Sequence, residues 1–398
     1  MQPRRKLAWI AVLYFAEGLP FGIAYDVWPV YFRVHGVSLA AIGLMSLLSL
    51  PWTLKMLWAP LVDRFGSRQQ WISACLLVLA VVAFAIIPLD AAHPSWFLWG
   101  VLLAFTAASA TQDVAIDAYA VDVSTPAETG AINGVRVSAA RIALLVGGGG
   151  AMTLAERTGW TPLWMGLSAL FVILAAVTFW SPRVALDQAE RRKPIRPVLG
   201  WLLRWEMLPV LLFVPLFKLG DSLLGRMVKP FWVDRGYSLK EIGLISVTLG
   251  VVLTILGALV GGWFVKKFGI FRSLLWLGIA QAGPHLGYAA VAAFNLPRET
   301  IYAASMVESF AQGLGTSAFL SFLMNLCDKE HAATQYALLS AMFAATRDVA
   351  GAFSGIGVER LGYSAYFIWT ALLAVPMLLL LPLVRPRIRE QASAPGPA

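Results

Sequence analysis

From Leu7 onward the chain keeps returning to runs of about twenty predominantly apolar residues, the length a helix needs to cross the hydrocarbon core of a bilayer. No other feature constrains the fold as much, because a backbone in lipid must satisfy its own hydrogen bonds and such runs therefore form helices. The spans read as 7–33, 39–62, 70–90, 96–122, 130–156, 160–181, 206–233, 239–265, 273–294, 299–326, 332–358 and 362–384, twelve in all. Composition agrees: 59% of the 398 residues are hydrophobic and 13% charged, against about 25% charged in a soluble domain. The expected fold class is an all-α polytopic membrane protein. The opening MQPRRKLAWIAVLYFAEGLPFGIAYD has the basic-then-apolar order of a signal peptide. Its apolar run is too long for one and carries Glu17 and Asp26, so it reads as an uncleaved first span.

A net charge of +9 would fit a nucleic-acid partner if the basic residues clustered. Instead they alternate between loops: 18 Lys and Arg fall on one side, among them Arg4, Arg68, Arg192, Lys266 and Arg385, and 5 on the other. The positive-inside rule then places both termini in the cytoplasm, and no nucleic acid is expected. Residues 182–205 form the longest loop, basic and with three prolines. That loop separates an N-terminal half, 1–181, from a C-terminal half, 206–385, and a tail follows at 386–398. Cys75 and Cys327 sit in or at the end of apolar segments and read as buried thiols. His35, His93, His285 and His331 are scattered, with no metal-ligand spacing and no histidine–carboxylate cluster for a membrane enzyme. No Gly-Lys pair occurs, so there is no Walker loop. The chain reads as a non-enzyme with no cofactor and no metal.

The halves repeat. GVSLAAIGLMS (36–46) and GYSLKEIGLIS (236–246) share seven of eleven residues; DRFGSR (63–68) is echoed by KKFGIFR (266–272) and ERTGW (156–160) by ERLGY (359–363). A parallel repeat of six helices resembles the construction of major facilitator transporters. Away from the span ends lie the acids Glu17, Asp26, Asp113, Asp117, Asp221, Glu308 and Asp348, against the bases Lys55, Arg136, Arg141, Lys218, Arg226, Lys229 and Arg347. Spans 3, 6, 9 and 12, peripheral in the major facilitator fold, contribute none. Charges in lipid are costly and face a partner or a wet cavity. Asp113 and Asp117, four apart, share a helix face and are expected in a polar cluster with Lys55 or Arg136, while Asp122 points elsewhere. Asp26, Arg226 and Lys229 are expected to snorkel to the interface. GGGG (147–150) reads as a close-packing surface, and Gly18-Leu19-Pro20 as a break or kink near the middle of span 1.

Several stretches then resemble one family. SLPWTLKMLWAPLVDRFG (49–66), ATQDVAIDAYAVDV (110–123), FKLGDSLLG (217–225), GALVGGWFVKKFGIFRSLL (257–275), ESFAQGLGTSAFLSFLMNLC (308–327) and ATQYALLSA (333–341) look like the AmpG-type muropeptide permeases. The wider group also holds acetyl-CoA transporters, similar over the first two stretches, and some siderophore importers look related near spans 1 and 2. The resemblance implies proton-driven import of N-acetylglucosaminyl-1,6-anhydro-N-acetylmuramyl peptides across the bacterial inner membrane, by a protein working as a monomer. APLVDRFGSR (59–68) also resembles the major facilitator loop motif, which implies an Asp63 gate with Arg64 beside it; Asp113 and Asp117 are expected either to close a gate against Lys55 or Arg136 or to carry a proton. Against such a cargo Arg141, Lys218 and Arg347 suit carboxylates. Glu17, Gln112, Gln281 and Gln312 suit hydroxyls and amides, and aromatic rings suit sugar faces. Asp113, Asp117, Asp221 and Glu308 are the candidate proton carriers. The longer permeases of the family carry hydrophobic segments beyond twelve; this chain has only the loop 182–205 in the middle. An acetyl-CoA carrier would need a dense basic pocket, which the seven-to-seven balance disfavours.

Overall fold

The computed structural model describes residues 3–123, 128–182, 205–294, 296–327 and 332–388. Residues 183–204 of the expected linker, His331, and residues 389–398 of the tail lie outside the described residues. Every element among the described residues is helical. In chain order the long helices are α1 (Arg4–Val34), α2 (Leu39–Leu57), α3 (Arg68–Ala85), α4 (Trp96–Val123), α5 (Ala131–Thr158) and α6 (Trp160–Phe179). They continue as α7 (Leu208–Asp234), α8 (Leu239–Phe268), α9 (Ile270–Ala293), α10 (Arg298–Leu326), α11 (332–361) and α12 (363–384). Nine stretches among the described residues are long and apolar enough to cross a membrane; the last of them, Leu338–Val384, contains the non-helical Gly362 that divides α11 from α12. Large apolar side chains such as Val81, Leu259 and Leu379 are 68–72% exposed, as a surface facing hydrocarbon requires.

The sequence repeat recurs in the backbone. Six described glycines have positive φ: Gly36 (82°) and Gly236 (72°), Gly66 (67°) and Gly269 (79°), Gly159 (87°) and Gly362 (74°). Each pair occupies the same place in one pair of repeated motifs. A left-handed residue ends one helix and turns the chain into the next, and only glycine adopts it without penalty. The serine two residues past Gly36 and Gly236 then starts the following helix in the same way. Ser38 Oγ accepts from Ala41 N–H, and Ser238 Oγ from Glu241 N–H in a full capping box. Gly236→Ala is expected to lower stability by about 1 kcal/mol through this dihedral alone, read as a lower melting temperature in detergent, with Gly166→Ala as a helical control at open space.

The chain divides into two compact units, Met1–Glu190 with Lys229–Thr248, and Arg191–Val228 with Leu249–Ala398. In the first, α1 lies along α5, and α3 packs between α4 and α6. Trp28, Phe105 and Phe171 are fully or nearly fully buried there, with successive ring centroids 5.2 and 6.1 Å apart. In the second, α8 lies along α10 and α9 packs on α10 and on the α11–α12 run. A core around Phe213, Phe217, Phe319 and Phe322 joins α7 to α10 and α12. Gly257 and Gly261 of α8 meet Gly313 and Leu314 of α10 backbone to backbone, the small-residue contact that lets helices approach in lipid.

Three helices carry π-helical turns: Ile23–Val27 in α1, Leu145–Gly150 in α5 and Ile242–Leu249 at the start of α8. They meet within the first unit. Methyl groups built on Gly147, Gly148 and Gly149 would strike the Leu19 carbonyl, Asp26 and the Gly243 carbonyl, so these three glycines form a packing surface with no room for side chains, while Gly150 is exposed. Helix α1 does not break at Gly18-Leu19-Pro20; it stays helical through Gly22 and widens one turn later. The interruption falls in α7 instead, at Lys218.

The expectation that Asp26, Lys229 and Arg226 snorkel is corrected. Lys229 Nζ pairs with Asp26 at 2.9 Å, both side chains under 20% exposed, and Arg226 faces Asp348 at 3.6 Å. The extra residue of the π turn rotates Asp26 towards α7, where a cation waits. Nearby, the Arg33 guanidinium holds Asp234 through two parallel bonds of 2.5 and 2.8 Å, the strong bidentate geometry. Asp26→Lys is expected to lower uptake at least ten-fold by leaving two buried cations face to face. The double exchange Asp26→Lys, Lys229→Asp should recover most of it in the same uptake assay.

Candidate functional site

A polar cluster joins the middle of α1 to the end of α2, the later half of α4 and the first turns of α5 in the first unit. Glu17, Asp113 and Asp117 each place a carboxylate oxygen within 4.8 Å of the others. The spacing of four brings Asp113 and Asp117 to one face of α4, as expected, and α1 delivers Glu17 to the same place. Lys55 Nζ is bonded directly to Asp113. Arg136 reaches Asp117 at 2.8 Å and lies over the Tyr14 ring at 4.6 Å, while the Tyr14 hydroxyl donates to Asp117 at 2.8 Å. Glu17 Oε2 is buried and accepts no hydrogen bond among the described residues. Three carboxylates therefore face two cations, an excess of one negative charge. At an effective dielectric of about 20, two like charges 4.8 Å apart repel by about 3.5 kcal/mol. These three acids are also the group that could ligate a cation, but the Lys55 ammonium and Arg136 guanidinium already take up Asp113 and Asp117.

Further along α5, Arg141 is half-buried and has no hydrogen bond or ion pair among the described residues. Gln112, beside Asp113, is fully buried with both amide atoms unpartnered among them. At the other end of the cluster, Arg68 donates to the Val62 carbonyl at 2.9 Å and meets Asp122 at 3.5 Å. Of the expected gate, Arg64 is exposed, the Asp63 side chain lies outside the described residues, and Lys55 and Arg136 are in the carboxylate cluster.

The second unit holds three separate sets of contacts. Lys218 pairs with Asp221 at 2.9 Å, one turn along α7; His285 of α9 meets the other Asp221 oxygen at 3.2 Å and Thr370 of α12 at 3.1 Å. Asp221, Gln281, His285 and Thr370 border a cavity of about 20 Å³, room for one water, where Gln281 Nε2 is buried without a partner among the described residues. Arg347 and Arg226 both meet Asp348, which is wholly buried. Gln312 Nε2 donates to Glu308 at 2.8 Å along α10.

Two participants are not visible in the sequence. His285 stands among scattered histidines, because 64 residues separate it from Asp221 and only the packing of α9 on α7 joins them. Tyr14 is apolar in most of its surface and reads as core, yet its hydroxyl orients Asp117. The one available signal is spacing: Tyr14, Glu17 and Phe21 follow each other at three and four residues, one helix face.

Buried ion pairs among long apolar helices, with turns that repeat along the chain, define a polytopic membrane protein. The chain matches the Major Facilitator Superfamily model over residues 10–347. It is 32% identical over 391 residues to the anhydromuropeptide permease of Escherichia coli K12, covering 96% of this chain and 79% of that one. It is 30% identical to an AmpG-type transporter of Rickettsia conorii over 94% of this chain and 95% of the other. Among solved structures it resembles the nucleoside transporter NupG (TM-score 0.75, 14% identity, 97% and 100% covered). It also resembles a bacterial homologue of the lysosomal transporter Spinster (TM-score 0.72, 13% identity, 98% and 96% covered). The chain belongs to the AmpG-type group of the Major Facilitator Superfamily, and it is a multi-pass membrane protein.

Proposed function

We propose that this protein imports anhydro-muropeptides across the bacterial inner membrane by proton symport, as a monomer with twelve crossings and both termini in the cytoplasm. The observation that carries the coupling is the unmatched charge among Glu17, Asp113 and Asp117. Lys55 and Arg136 each hold one carboxylate, so the third, Glu17, is where a proton removes the excess. Asp221 is a weaker candidate because Lys218 and His285 already hold it, and Glu308 has Gln312 beside it. For the cargo, Arg141 supplies to a peptide carboxylate a guanidinium that has no partner among the described residues, and Gln281 an amide nitrogen that has none among them either. Lys218 and Arg347 would join only after giving up Asp221 and Asp348. Asp63 and Arg64 are the proposed cytoplasmic latch, with Arg68 holding the same loop. The halves 1–181 and 206–385 are proposed as the moving bodies, joined by 182–205. The name of the E. coli relative supports the cargo.

The test is uptake of radiolabelled anhydromuropeptide into proteoliposomes under an imposed inward proton gradient, with acetyl-CoA and a ferric siderophore in parallel. Gradient-dependent accumulation of the muropeptide alone is the expected result. Accumulation of either alternative cargo in its place would overturn the substrate.

A further inference from the structure

The face of α1 that carries Glu17 continues beyond it. Phe21 and Tyr25 follow it at spacings of four, and Trp52 reaches them from α2. The Phe21 and Tyr25 rings are 5.8 Å apart and within 8° of parallel; Phe21 and Trp52 are 4.3 Å apart at 26°, and Tyr25 and Trp52 5.9 Å apart. Phe21 thus stacks on both neighbours, while Tyr25 and Trp52 are tilted 33° to each other. Trp52 is buried, and its Nε1 donates to Ser109 Oγ at 3.2 Å, which fixes the indole. Phe21 and Tyr25 are only half-buried. Ser109 stands one turn before Asp113 on α4, so the rings rest on the helices that carry the carboxylates. Tyr25 sits inside the π turn Ile23–Val27; such turns re-aim side chains.

The neighbouring helix fixes the level. Gly18 packs against Ala140 and Ala143, and Gly22 against Gly147 and Gly148, so α1 and α5 run in parallel and Arg141 lies at the height between Glu17 and Phe21. One layer therefore holds stacked aromatic rings of which Phe21 and Tyr25 are half-buried, a guanidinium with no bond among the described residues, and carboxylates about one turn below. A purely apolar ligand would have no use for the charges, and a peptide alone would have no use for parallel rings. A pyranose uses both: its C–H face lies on an aromatic ring, its edge hydroxyls bond to carboxylate, and an acidic substituent meets the guanidinium.

We propose that Phe21, Tyr25 and Trp52 form a pyranose platform, on which a sugar ring of the cargo stacks with its hydroxyl edge towards Glu17 and an acidic substituent towards Arg141. The inference rests on the muropeptide reading and adds to it which end of the cargo the first unit receives: the disaccharide.

The test uses the full-length protein in proteoliposomes. Labelled anhydromuropeptide uptake is measured against unlabelled peptide-free disaccharide, free peptide and uridine as competitors. Phe21→Leu and Tyr25→Leu keep apolar bulk and lose the flat face. Each is expected to raise KM and the disaccharide inhibition constant about ten-fold, about 1.4 kcal/mol, with kcat and inhibition by free peptide unchanged. Tyr25→Phe restores the ring and should reverse the rise in KM and in the disaccharide inhibition constant seen in Tyr25→Leu. Phe21→Met and Tyr25→Met give the same reading where a leucine variant does not reach the bilayer. Unchanged disaccharide inhibition in the ring-less variants, with uptake intact, would overturn the platform and leave the muropeptide reading standing. A wild type that neither takes up muropeptide nor is inhibited by disaccharide would overturn both. Competition by uridine that is lost with the rings would make the occupant a planar base and overturn the pyranose.

Discussion

Glu17→Gln is expected to abolish uphill accumulation of cargo while leaving exchange of labelled for unlabelled cargo intact. The glutamine keeps the shape and removes the proposed site of proton exchange in the cluster of Glu17, Asp113 and Asp117. With one proton per cargo, an inward gradient of about two pH units supports accumulation of about 100-fold. In the variant that ratio should fall to about one, and counterflow should proceed at a rate within a few-fold of wild type. Asp113→Asn is a different disturbance. It leaves the Lys55 ammonium without its carboxylate, so it should lower exchange as well as accumulation. A Glu17→Gln protein that still concentrates cargo would move the coupling elsewhere, with Asp221 next in line.

Gly261→Leu should prevent the protein from accumulating in the membrane. A side chain built there would lie 2.6 Å from the Leu314 carbonyl oxygen and 3.0 Å from Leu314 Cα and Ser317 Cβ. The first two are backbone atoms of α10, which cannot swing aside as a flexible side chain would. Gly257 faces the Phe310 carbonyl in the same way, and a methyl on Gly313 would lie 2.7 Å from Ala258 N. Overpacking of this kind costs about 3 kcal/mol or more, a large share of a membrane protein's stability. Gly262, one residue on, meets only the Ser317 hydroxyl at 3.4 Å, and Gly262→Ala should express and melt as wild type. Equal expression of Gly261→Leu and Gly262→Ala would show that α8 and α10 do not rely on this contact.

The repeat is legible in the sequence because it is carried by residues with one physical use. Gly36 and Gly236 are glycines since the backbone there is left-handed, and Ser38 and Ser238 are serines since a helix starts there; motif and geometry are one fact. Asp113 and Asp117 are legible as a pair by spacing, and Lys55 and Arg136 as their counterions by elimination. The partners of Asp26, Arg226 and Asp221 are not. A helical wheel assumes 3.6 residues per turn, and the π turn Ile23–Val27 breaks that count at Asp26. His285 joins Asp221 through tertiary packing alone, and nothing in its local sequence distinguishes it from a lone polar residue on an apolar helix. Arg141 stands out by depth, but that it has no partner among the described residues can be read only from the packed structure.

The three π turns of α1, α5 and α8 have a mechanical consequence. Each holds one residue more than an α-helical turn needs, and that surplus can be handed to the next turn by trading one hydrogen bond for another along the ladder. Each transfer advances a side chain by about 1.5 Å and turns it by about 100°. Where Gly148, Gly149, Gly243 and Val247 press together, the helices therefore carry their own slack. The contact can creep in single-residue steps without being torn open, and its glycines offer no knobs to catch.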